Sequence, residues 1–232
     1  MRLIENIKLT QARITSALAR SQSDRPVKII AVTKTHPAAT IVEAYTAGLF
    51  NIGENRIQEA EKKFPALPLL PKLQKHMIGH LQTNKVNKAV NLFDKIDSVD
   101  SLKLANKINS AALSTDKKSE VLLEINTSGE EAKFGFDPEH IDAMLTCIEL
   151  PGLKVQGLMT IGPLTQDTER IRKAFIQLRK LFNALNSQLP TNIDLLTELS
   201  MGMSGDFEMA IEEGSTMVRL GTILFGPRQP YE

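Results

Sequence analysis

Eight short apolar or β-branched runs, separated by segments with apolar residues three and four apart, divide this chain into a βαβα series. The runs are Val27–Thr33, Leu49–Gly53, Lys75–Gly79, Lys95–Val99, Glu120–Asn126, Lys154–Thr160, Leu196–Leu199 and Met217–Leu220. Strands that alternate with helices pair in parallel, and both faces of such a sheet need an apolar cover. Segments such as Ile41, Ala44, Tyr45 and Leu49, or Ile171, Phe175, Leu178, Leu181 and Phe182, carry the stripe that supplies it. Eight such units predict a closed (β/α)8 barrel of the TIM type, with an open doubly wound sheet as the alternative of equal strand count.

The end of the chain favours the barrel. Thr222–Glu232 holds Pro227 and Pro230 and is too short for a full eighth covering helix. The amphipathic stretch Met1–Arg20, ahead of the first strand, is expected to fill that gap. Without a linker, repeat or low-complexity tract, residues 1–232 are expected to form one domain, and 42% hydrophobic content suffices for its core.

Composition narrows the function. With 28 Lys and Arg against 27 Asp and Glu, the formal charge of +1 offers no field for nucleic acid or an anionic membrane, so any anion is bound locally. Cys147 is the one cysteine, which excludes an intrachain disulfide and a thiolate cluster; it lies in the apolar stretch Ile141–Leu150 and reads as a buried structural thiol. His36, His76, His80 and His140 lack metal-ligand spacing, and no glycine-rich dinucleotide or P-loop motif follows a strand. With no leader-like or membrane-spanning apolar block, the expected location is the cytoplasm.

In barrels of this kind the chemistry gathers where strands end. Those positions hold Lys34, Glu54, Asn55, His80, Asp97, Asp100, Asn126, Thr160, Ser200 to Ser204 and Arg219. By position alone Lys34 is a solvated cap; in a partly desolvated mouth its amine becomes a nucleophile toward aldehydes, and pyridoxal 5′-phosphate is the commonest aldehyde cofactor. Ser200, Met201, Gly202, Met203, Ser204 and Gly205 read as a small-residue loop before an acidic helix, Asp206–Glu213, whose first N–H groups and the Ser204 hydroxyl suit a phosphate. Gly221 and Thr222, after the eighth strand, offer close backbone approach and another donor. Taken singly, Ser204 is a helix cap and Gly221 relieves crowding. Asn55 and His80 serve equally well as ligand contacts or as partners of loop backbone.

Several segments together resemble the pyridoxal phosphate homeostasis proteins: Ala31-Val32-Thr33-Lys34-Thr35, Gly53-Glu54-Asn55, His76 to Lys85, Gly157-Leu158-Met159, Leu199 to Ser204, and Gly214 to Thr222 with Phe225-Gly226. They run in order along nearly the whole chain. The resemblance implies a barrel similar to the N-terminal domain of alanine racemase, without that enzyme's C-terminal β domain. It implies Lys34 as the Schiff-base lysine, Arg219 at the pyridine nitrogen, and Ser200, Ser204, Gly221 and Thr222 around the phosphate, with Met201, Asn55 and His80 completing the cofactor-binding set.

Two functions fit such a site. One is a carrier that stores, buffers or delivers pyridoxal phosphate, with PLP-dependent apoenzymes as recipients; the other is an amino-acid racemase. A two-base racemase needs a second acid/base, a tyrosine in the alanine racemase family. Here the tyrosines are Tyr45, in a covering helix, and Tyr231, in the tail, neither well placed. The expectation is a monomeric carrier with no catalytic residue and no metal, in which Lys133 is plain solvated charge rather than a second amine.

Overall fold

The computed structural model describes residues 2–21, 25–130 and 133–227. Helix α1 (Arg2–Ser21) leads into β1 (Lys28–Val32), α2 (Ala38–Thr46), β2 (Asn51–Glu54), α3 (Ile57–Lys63), β3 (Gln74–Met77), α4 (Val86–Leu92) and β4 (Lys95–Val99). The series continues with α5 (Leu102–Leu113), β5 (Ser119–Glu124), α6 (Ile141–Ile148), β6 (Leu153–Met159), α7 (Thr168–Gln188), β7 (Glu198–Met203), α8 (Phe207–Glu212), β8 (Met217–Leu220) and a single turn, α9 (Thr222–Phe225). All neighbouring strands are parallel, and β8 returns to β1 through Lys28↔Met217 and Ile30↔Arg219, which closes the barrel and excludes the open sheet.

Side chains alternate along each strand between the barrel interior and the helical layer. Ile30, Val32, Ile78, Leu122, Met159 and Met217 form the interior cluster. A larger cluster, including Ile96, Leu104, Leu123, Phe175 and Leu199, packs strands against helices. Cys147 on α6 belongs to it, and burial pushes its thiol up to about 12, in keeping with a structural role. Helix α1 covers the sector that the short α9 leaves open: Ile7, Ile14 and Ala17 cluster with Phe207, Ile211 and Leu224. Arg13 and Arg20 pair with Glu208 and Glu212 at 2.7 and 2.6 Å.

The seventh strand departs from expectation. It runs to Met203 rather than stopping at Leu199, so Ser200 and Met201 lie within β7 and not in the loop after it. Gly202 makes this possible. Its φ of +94° belongs to the left-handed region, and a Cβ there would stand 2.6 Å from the Ala210 Cβ. The register with β8 shifts between Ser200 and Met203 at the same place. Among the described residues no helix is long and apolar enough to cross a membrane.

Candidate functional site

The strand ends open onto a cleft of about 240 Å³ lined by Lys34, Asn55, Ser204, Arg219, Gly221 and Thr222, with Val32, Ile78, Ile161 and Met203 among its apolar walls. Six of the nine expected site residues therefore meet in one cavity. Ser200 lies beneath it, bound to Arg219, whereas Met201 packs into the strand–helix cluster; both are fully buried. His80 falls outside the lining, in a neighbouring niche with Arg56 and Lys85. A larger groove of about 560 Å³ runs along α1, where Arg13 and Arg20 are taken up by Glu208 and Glu212.

Lys34 has the same strand parity as the interior residues Ile30 and Val32, which directs it to the mouth. Its turn is strained and tightly held. Thr35 has φ +68°, a costly conformation for a β-branched residue, of the order of 1–3 kcal/mol. The Thr35 N–H donates to Glu59 at 2.5 Å, and the buried Lys63 ammonium binds Glu59 at 2.6 Å, Glu54 at 2.9 Å and the Thr33 carbonyl at 2.8 Å. The Thr33 hydroxyl also donates to Glu54 at 2.7 Å. Burial raises the Glu54 pKa, opposed by the hydrogen bond from Thr33 and by Lys63. Lys63, Glu59 and Glu54 thus form a polar foundation between β1, β2 and α3 that fixes the Lys34 turn.

Arg219, on β8, is 5% exposed and spans two strands. Its Nη1 donates to the Ser200 carbonyl and hydroxyl, and its Nη2 to the Thr160 carbonyl at 2.7 Å. Burial lowers its pKa while Asp97, Glu124 and Asp206 raise it; a guanidinium among three carboxyl groups stays protonated and is a pure donor.

Ser204 carries the other half of the site. Its hydroxyl accepts long hydrogen bonds from the Gly221 and Ile223 N–H groups, at 3.3 and 3.4 Å. These donors at the start of α9 are only weakly satisfied, and an anionic oxygen entering the cleft would satisfy them better. A Cβ on Gly221 would meet Val32 at an ordinary 3.6 Å, so the residue's value is the open space it leaves toward a ligand rather than relief of a clash. The residues present fit a phosphorylated aldehyde: an amine, a buried cationic donor and a set of backbone and hydroxyl donors share one small cavity.

The remaining expectations sort by contact. His80 turns to Asp100, 2.8 Å from Nδ1, and stacks on Phe134 with ring centroids 3.6 Å apart. Lys133 donates to the Gly162 carbonyl at 3.1 Å and pairs with Glu130 at 2.9 Å. Tyr45 packs edge-on against Phe50, and Tyr231 lies outside the described residues. Sequence reasoning passed over His36, which lines the cleft and whose pKa burial and Lys63 lower. It also passed over Lys63 and Glu124. Strand parity marks Glu124, two residues beyond Leu122, as inward-facing; the signal for Lys63 is its i,i+4 spacing from Glu59.

Comparisons with known proteins agree with this geometry. Residues 7–229 match the family described as alanine racemase, N-terminal domain. The pyridoxal phosphate homeostasis protein of Aquifex aeolicus is 42% identical over 99% of this chain and 100% of its own length. The human protein of the same name is 40% identical over 96% of this chain and 85% of its own. The structure of PipY from Synechococcus elongatus, solved with PLP bound, is 42% identical with a TM-score of 0.80, covering 92% of this chain and all of that one (100%). An alanine racemase from Clostridium difficile shares the fold at a TM-score of 0.75 and 20% identity, and the match spans 98% of this chain but 58% of that one. This chain belongs to the alanine racemase N-terminal-domain family and, within it, to the pyridoxal phosphate homeostasis proteins.

Proposed function

We propose that this protein holds pyridoxal 5′-phosphate reversibly as a Schiff base on Lys34, and that it stores, buffers or delivers the cofactor without turning over a substrate. The observation that carries the reading is the convergence of Lys34, Arg219, Ser204, Gly221 and Thr222 on one cleft of about 240 Å³. When bound, the cofactor supplies an aldehyde that an amine can capture and, in enzymes, an electron sink.

The chain's own residues divide the work. Lys34 provides the amine, held in place by the strained Thr35 turn. Arg219 donates to the ring nitrogen and, because it stays protonated, does not hand over its proton, which keeps the ring a weak sink. Ser204, Gly221 and Thr222 receive the phosphate, with Ser200 and Met201 supporting them from β7. Asn55 lines the ring side, and His80 bounds the adjoining niche.

The carrier function is favoured over a racemase because the tyrosine among the described residues, Tyr45, packs on Phe50 rather than lining the cleft. In this reading residues 1–232 act as one domain and as a monomer in the cytoplasm, with PLP-dependent apoenzymes as recipients. Adding pyridoxal phosphate to the purified protein is expected to give a visible absorbance band that borohydride fixes on Lys34 and that Lys34→Ala abolishes. Attachment at another lysine overturns the assignment of Lys34. Sustained, Lys34-dependent inversion of D- or L-alanine overturns the carrier reading.

A further inference from the structure

The turn that carries Lys34 also carries a histidine. His36 lines the same cleft as Lys34, and a cavity of about 240 Å³ is below the usual ligand-site range of about 300–1,000 Å³, so a ligand that fills it touches every wall. The His36 N–H donates to the Thr33 carbonyl at 3.0 Å, which closes the turn around Lys34, and Pro37 behind it disfavours helical backbone at His36. The imidazole leans on Phe225 of α9, with ring centroids 5.1 Å apart and planes at 48°. It is thus fixed at the backbone on one side and at the ring on the other. Among the described residues neither ring nitrogen makes a hydrogen bond, so both are available to a ligand.

The charged groups around the ring are Lys63 and Glu59 of α3; Lys34 and Arg219 line the same cleft, and from α9 the facing group is the apolar Phe225. Burial is the main influence on the imidazole and lowers its pKa; Lys63 lowers it further and Glu59 opposes both. The ring is therefore uncharged at neutrality, the form that accepts a proton.

We propose that His36 is the acid–base residue for loading and release of an aldehyde at Lys34. This rests on the cofactor reading given above. On loading, the uncharged Lys34 nitrogen forms a bond to the aldehyde carbon while the carbonyl π pair moves to oxygen. Twice a proton leaves the nitrogen for His36 and passes on to the oxygen. The carbon–oxygen bond then breaks, the oxygen departs as water, and the nitrogen lone pair completes the carbon–nitrogen double bond. Release runs the same steps backward, with water as the nucleophile. His36 ends each cycle as it began, and no oxidant or reductant is needed. A group that speeds both directions alike sets how fast the cofactor exchanges, not how tightly it is held.

Stopped-flow absorbance gives the limiting rate at which the visible band forms with saturating pyridoxal phosphate. An excess of 4′-deoxypyridoxine 5′-phosphate, which lacks the aldehyde, blocks recapture and gives the rate of loss. His36→Phe keeps a ring against Phe225 but has no nitrogen to carry a proton. It is expected to slow both rates by about tenfold or more, short of the full range of about 10²–10⁴ for an enclosed acid–base group because water reaches the mouth, with a dissociation constant within about twofold of wild type. His36→Ala should be slowed alike, and added imidazole should restore part of its rate. His140→Gln, at an exposed histidine ahead of α6, should keep both rates. Thermal melting confirms each fold; if His36→Phe melts early, His36→Ala decides, recovery with imidazole supporting the proposal and no recovery overturning it. Wild-type rates in His36→Phe, or slowed loading with release unslowed, overturn the proposal and leave the cofactor reading standing. A wild type whose Lys34 captures no pyridoxal phosphate overturns both.

Discussion

One nitrogen of Arg219, Nη1, binds Ser200 twice, at the carbonyl (2.9 Å) and at the hydroxyl (2.7 Å). The same guanidinium reaches the carbonyl of Thr160, the residue that follows β6, so it ties β8 to β7 and to the end of β6 where the cleft begins. Arg219→Met leaves those acceptors and the surrounding carboxylates uncompensated, and is expected to cost about 3–5 kcal/mol of unfolding free energy. Ser200→Ala removes one acceptor and should cost about 1 kcal/mol. Denaturant titration of both variants checks the ordering; equal losses would mean that the serine hydroxyl, not the fork, organises this layer.

Lys63 is expected to matter out of proportion to its place on a short helix. It satisfies Glu54, Glu59 and the Thr33 carbonyl at once. Lys63→Met should cost about 3–5 kcal/mol, because two carboxylates lose their buried counter-charge. Adding Glu54→Gln to that variant should restore about 1–2 kcal/mol, since the Glu54 Oε2 atom already lacks a partner. A double variant no more stable than Lys63→Met shows that Glu54 does not depend on this lysine.

Gly202 makes a structural prediction with a ligand readout. Any side chain there must adopt φ +94° and displace Ala210 or Phe207, with first contacts at 2.6 and 2.9 Å. Gly202→Ala should therefore cost about 2 kcal/mol or more and shift Ser204 relative to Gly221. Inorganic phosphate, titrated by chemical-shift perturbation, should bind the variant more weakly. Unchanged perturbations at Gly221 and Ile223 would disconnect this bend from the anion-binding groups.

The pH dependence of stability should carry the signature of Glu124. Its folded pKa of about 7 lies above the ordinary glutamate value of 4.5. A raised acid favours the folded state fully below its unfolded pKa, and that contribution is lost as pH rises through the folded value. Wild-type protein without ligand should lose stability relative to Glu124→Gln between about pH 4.5 and pH 7, by an amount on the order of 3 kcal/mol. Parallel curves for the two proteins across that window would remove Glu124 as the titrating group.

The barrel was legible because two periodicities, of strands and of amphipathic helices, repeat eight times with little interruption. Lys34, Ser204, Arg219, Gly221 and Thr222 were legible because a parallel barrel brings all its strand ends to one rim. Ser200 and Met201 were misplaced into a loop because Gly202 looks like a strand terminator, whereas here its left-handed φ bends β7 and lets it continue. His80 sits at the rim as expected, but the pull of Asp100 and the Phe134 ring is a contact between distant loops that no local pattern encodes. Lys63 and Glu124 were overlooked for a shared reason. A charged residue in a helix or at a strand end ordinarily faces water, and only tertiary packing makes these two interior.

Helix α1 lies against α8 and α9, and Arg13 pairs with Glu208 across 195 positions of sequence. Synthesis runs from the N-terminus, so α1 emerges long before the surfaces that bury its apolar face, and β1 emerges long before β8 can close the ring. The groups suited to an anion, Ser204, Gly221 and Thr222, emerge in that same last stretch. A ribosome-bound chain thus carries the lysine of the site for most of its synthesis without the rest of the cleft. The segments that complete the cleft are thus the ones against which the first helix docks.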